Sequence, residues 1–78
     1  MKSIEAILAE IRPEFDFATS QDFIEDGMLD SFDMVTLVSE LEQAYAVSID
    51  GVDIVPENFR NVATIRKLLK KSGGGARP

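Results

Sequence analysis

Neither cysteine nor histidine occurs anywhere in this 78-residue chain, so its fold has to be held by an apolar core alone. There is no disulfide framework and no thiolate chemistry. The commonest general base and the commonest metal ligand are missing too. A chain this short builds one small domain whose single core supplies only about 3–5 kcal/mol of net stability. Apolar residues make up 45% of the sequence, enough for such a core, but there is little room for an elaborate catalytic cleft. No stretch approaches the roughly 18 apolar residues of a membrane span, and Met1 to Phe15 lacks the unbroken apolar run of a secretory signal. A cytoplasmic protein is expected.

The apolar pattern is helical. Ser3 can cap a first helix whose Ile4, Ile7, Leu8 and Ile11 recur at i, i+3, i+4 and i+7, and Pro13 stops it. From Pro13 to Leu29 the chain has no period, yet it carries Phe15, Phe17, Phe23, Ile24 and Met28. So long a connection in a small domain is functional or self-packed, and these aromatics are expected to plug the core. A second helix begins near Asp30 and Ser31 and runs to about Ala46. At about 100° per residue Met34, Leu37, Val38, Leu41, Ala44 and Tyr45 share one arc, whereas Phe32 and Val35 fall off it. Val47 to Val55 is turn-like and too short to build a sheet alone. Pro56 opens a short helix through Phe59, and Asn61 caps a last helix that turns Val62, Ile65, Leu68 and Leu69 inward. The expected fold is all-α: a small four-helix bundle, three main helices plus one short one, with a long first loop. Residues 1–71 form the domain, and 72–78, ending in SGGGARP, read as a flexible tail.

Charge narrows the partners. From Pro13 to Phe59 there are twelve Asp or Glu and no Lys or Arg, within a formal net charge of −6. Such a body repels nucleic acid and anionic lipid and attracts basic protein surfaces. Dense carboxylates invite a calcium reading, but neither DFIEDGMLDSFD nor SIDGVDIVPENF supplies the alternating ligands of an EF-hand. No dedicated metal site is expected. The three glycines near the end precede no helix and form no phosphate loop.

Ser31 stands between Asp30 and Asp33 where the loop becomes a helix. A serine hydroxyl needs a neighbouring base to become a nucleophile, and this chain has no histidine to serve. A hydrolase is therefore excluded in practice, and any chemistry at Ser31 has to be activated by another protein. Helix capping alone explains a serine or aspartate here. A helix start is also a favourable place to attach a phosphodiester, because free N–H groups and the helix dipole favour an anion. Asp30 and Asp33 would oppose that anion and leave an attached arm solvated.

LDSFD at residues 29–33, followed by Val35, Leu37, Val38 and Leu41 at helical spacing, closely resembles the modification motif of acyl and aminoacyl carrier proteins. The likeness extends over roughly residues 3 to 70 in element order and length. It implies a protein that is not itself an enzyme and that receives 4′-phosphopantetheine from coenzyme A on Ser31 through a phosphopantetheinyl transferase. The thiol missing from the chain would then arrive with the prosthetic group. The resemblance further implies that the second helix is read by an adenylating or other acyl-loading enzyme and by downstream acyl-transfer enzymes with basic docking surfaces. Asp30, Asp33, Glu40 and Glu42 would meet Arg or Lys on these partners, and Phe32 and Val35 would fill shallow pockets. A monomer is expected.

Thr36 stands where fatty-acid carriers usually have glutamate, and Ser39 where they often have a larger apolar residue. EDGMLDSFD and DIVPENF look more like stand-alone carriers that serve adenylating enzymes, D-alanyl carriers among them. Val38, Leu41 and Ile65 are candidates to shelter an acyl chain, although each also fits an ordinary core position. The alternative from another class is an acidic helical adaptor that binds a basic protein and takes no prosthetic group.

Overall fold

The computed structural model describes residues 2–72, and six of the seven residues of the expected tail lie outside them. Three α-helices carry the fold, with no strand among the described residues: α1 (Ile4–Ile11), α2 (Ser31–Tyr45) and α3 (Val62–Lys71). Each helix begins with a side chain that takes up a free N–H of the first turn. Ser3 accepts from the Ala6 N–H in α1, and Asp30 and Asn61 form reciprocal capping boxes with Asp33 and Thr64 in α2 and α3. The apolar stripes meet as their spacing predicts. Ile4, Ile7 and Leu8 of α1, Met34, Leu37, Val38 and Leu41 of α2, and Ile65, Leu68 and Leu69 of α3 are all buried in one core.

The long first connection closes this core. Phe17 and Phe23 are buried, with ring centroids 5.0 Å apart and nearly perpendicular planes, and Phe15 packs edge-on to Phe17 at 6.3 Å. Edge-to-face rings put the positive edge of one on the negative face of the other. Asp16 caps a 3₁₀ turn at Phe17–Thr19. Phe23 also anchors the backbone: its N–H donates to the Arg60 carbonyl at 2.6 Å, and its carbonyl accepts from Met28 and Leu29. The chain reverses at Gly27, whose φ of +73° is a left-handed conformation that a side chain would strain. Fixed at Phe23 and buried again at Leu29, the loop delivers the chain to the start of α2.

One expectation changes. The short helix expected from Pro56 to Phe59 is a single 3₁₀ turn, Pro56–Asn58, and not a fourth α-helix. The Asn58 side chain is drawn to the Asp53 carbonyl at 2.8 Å, and Asn61 already caps α3, so the segment has no length in which to continue. A third 3₁₀ turn, Gly51–Asp53, is capped by Asp50 and tied to the end of α3 by a 2.7 Å ion pair between Asp53 and Lys71. Among the described residues no helix is long and apolar enough to cross a membrane.

Candidate functional site

The site begins one helix earlier than the serine. Pro13 has no N–H to donate and crowds the residue before it out of the helical region. Arg12 accordingly leaves α1 with φ −134° and ψ 77°. Its side chain then reaches the first turn of α2. Nε and Nη2 both lie 2.9 Å from Asp33 Oδ2, Nη2 is 3.4 Å from Asp30 Oδ2, and Nη1 is 3.0 Å from Glu14 Oε2. The Phe15 ring lies 5.9 Å from the guanidinium carbon, within range for a cation–π contact.

Asp30 and Asp33 are bound to each other as well. Asp30 Oδ1 accepts the Asp33 N–H at 2.9 Å, and Asp33 Oδ2 accepts the Asp30 N–H at 3.1 Å. The hydrogen bond from the Asp33 N–H is the main cause holding the Asp30 carboxyl below its ordinary value, and Arg12 adds to it. Ser31 is the first residue inside this frame and is exposed. The first N–H bonded within the helix is that of Met34, to the Asp30 carbonyl, so the Ser31 N–H lies ahead of the intrahelical ladder. The hydroxyl is presented to solvent on a turn that is fixed on both sides.

The other candidates divide into outward and inward groups. Phe32 and Val35 face out, 84% and 62% exposed, beside Ser31 on α2. Asp30 is exposed and Glu40 is half-buried. Asp33, expected to reach a partner's cation, is instead 9% exposed and already paired with Arg12. It lies one turn before Leu37 and two before Leu41 on the buried arc, so the helix carries it inward. Glu42 is half-buried too, and its carboxylate accepts the Ile49 N–H at 2.8 Å, which holds the chain leaving α2. The outer face of α2 beyond Ser31 therefore consists of Phe32, Val35, Thr36, Ser39 and Gln43, all uncharged. Sequence reasoning missed Arg12. The available signal was that it is the last cation before a long stretch without any.

Val38, Leu41 and Ile65 are all buried in the core. A hollow of about 730 Å³ lies elsewhere, between α1, the long loop and the start of α3, lined by Ala9, Phe15, Phe17, Phe23 and Val62 among others and by no residue of α2. Among the described residues no group of three or more carboxylates is placed to hold a metal ion.

Chemically, this arrangement displays a hydroxyl without activating it. A serine that is exposed at a capped helix start suits covalent attachment of a phosphate-linked group by an external catalyst. A family model described as "Phosphopantetheine attachment site" matches residues 2–70, nearly the whole of what the structure describes. Neither a curated protein nor a solved structure matches the chain. Members of this family hold 4′-phosphopantetheine covalently and carry a group on it without transforming it themselves. With the match spanning all three helices, the chain belongs to the phosphopantetheine-binding carrier family.

Proposed function

We propose that Ser31 is the attachment residue and that the protein carries an acyl or aminoacyl group, as a thioester, between enzymes. The observation that carries this reading is the exposure of Ser31 at the first position of α2 in a domain that matches the family. In the modification, the Ser31 oxygen forms a bond to the phosphorus of coenzyme A that bears the pantetheine. The bond from that phosphorus to the adenosine bisphosphate breaks, and the hydroxyl proton passes to a base on the transferase. The arm supplies the thiol that this chain lacks. The chain's own task is to display the hydroxyl and to be recognised.

Recognition is assigned to Phe32 and Val35, whose exposed apolar surface beside Ser31 suits shallow pockets on the transferase, the loading enzyme and downstream acyl-transfer enzymes. Asp30 and Glu40 remain as carboxylates for basic residues at the rim, whereas Asp33 and Glu42 support the fold. Thr36 and Ser39, both exposed, depart from the fatty-acid carriers, and the stretches EDGMLDSFD and DIVPENF favour loading by an adenylating enzyme. A cytoplasmic monomer is part of the same proposal. The family match argues against an adaptor that takes no prosthetic group.

Incubation with coenzyme A and a broad-specificity phosphopantetheinyl transferase, followed by intact mass measurement, tests the attachment. Wild type should gain one phosphopantetheine and Ser31→Ala none. An unchanged wild-type mass would return the adaptor to the front, and a modified Ser31→Ala would move the attachment elsewhere.

A further inference from the structure

We propose that Arg12 is a positioning residue for the modification of Ser31, an inference that rests on the carrier function proposed above. Its guanidinium joins three segments: the end of α1, the loop at Glu14 and Phe15, and the first turn of α2, which carries the serine. It acts through Asp30 and Asp33, the capping pair that fixes the turn on which the hydroxyl is displayed.

Two physical effects make this more than an incidental surface ion pair. The Asp33 side chain is only 12% exposed. A carboxylate so placed is costly to leave without a counter-charge, and the remedy open to it is to swing outward and break the capping box. The second effect concerns the incoming group. Coenzyme A and the phosphodiester it leaves behind are anionic, and Asp30 and Asp33 stand one and two residues from the attachment oxygen. Among the described residues, Arg12 is the cation paired with both. It offsets the negative charge of the two carboxylates that flank Ser31 in sequence.

The test measures kcat/KM for transfer from coenzyme A to wild type and to Arg12→Gln, Arg12→Lys and the double variant Arg12→Gln/Asp33→Asn. Each is measured at low salt and at about 1 M salt, where the screening length shrinks to about 3 Å. At low salt Arg12→Gln should be modified about tenfold more slowly than wild type, and the ratio should narrow at high salt as surface charges are screened. Arg12→Lys, which retains the charge, should recover most of the loss. The double variant should recover it as well, because asparagine keeps an oxygen for the Asp30 N–H and removes the unpaired carboxylate. Circular dichroism of each variant reports whether overall helix content is retained. Equal rates for Arg12→Gln and wild type at both salt concentrations would overturn the proposal. So would a loss indifferent to salt and recovered by neither companion variant. If wild type itself takes up no arm, the carrier reading falls and this inference falls with it; a modified wild type with an indifferent Arg12→Gln overturns this inference alone.

Discussion

Phe23 and Phe32 are the same side chain put to opposite uses. Phe23 is almost completely buried, touches Phe17 edge-on, and anchors the loop through its backbone. Truncating such a residue to alanine costs about 3–5 kcal/mol, comparable to the whole stability expected of a domain this small. Phe23→Ala should therefore be largely unfolded at room temperature by circular dichroism. Phe32→Ala removes an exposed ring and should change stability by no more than about 0.5 kcal/mol, while slowing the loading of Ser31 in the transferase assay. A Phe32→Ala variant that melts with wild type and is loaded just as fast would remove Phe32 from the docking surface. Helical projection separated these two roles in part, since Phe32 falls off the apolar arc of α2. The same projection contained the position of Asp33, on the ladder with Leu37 and Leu41, but an acidic residue in an acidic chain reads as surface. What identifies Asp33 as interior is a cation 21 positions earlier in the sequence, and local pattern does not show a pairing at that distance.

At the scale of elements, periodicity located all three α-helices and cap residues located their starts, because both signals lie within a few residues of each other. The 3₁₀ turns were less legible: each spans only three residues, too few to show a period, and the Asn58 side chain reaches back beyond its own turn to the Asp53 carbonyl. The end of α2 has a conformation of its own. Ala46 adopts φ 54° and ψ 47° as its C-terminal cap, the left-handed region in which a Cβ is crowded. Ala46→Gly should raise stability by about 0.5–1 kcal/mol, a rise of several degrees in Tm for a chain of this size. An unchanged or lower Tm would show that the strain is absorbed elsewhere. At the other end of α2, the Asp30 carboxyl is held below its ordinary value of 3.8 by the Asp33 N–H, with help from Arg12. A depressed carboxyl contributes stability that is fully present above the unfolded value and is lost as pH falls through the folded one. The melting temperature should thus fall more steeply below about pH 4 in wild type than in Asp30→Asn, whose amide still caps the helix but does not titrate over this range. Parallel curves would mean that other groups dominate acid unfolding.

For the whole molecule, charge sets the behaviour that packing does not. A formal charge of −6 on a small body leaves like charges close together, and their repulsion opposes compaction. Added salt or a divalent cation should raise the melting temperature by screening it. The bond of Arg12 to Asp33 should weaken little, since that carboxylate is shielded from solvent. A melting temperature flat across both titrations would show that the repulsion is negligible. Arg12 also shapes how one copy meets another. With the last cation before Arg60 already paired to Glu14, Asp30 and Asp33, the serine-bearing half offers few free positive groups to the acidic surface of a neighbour. Two copies should therefore repel one another at low salt and lose that repulsion as ionic strength rises.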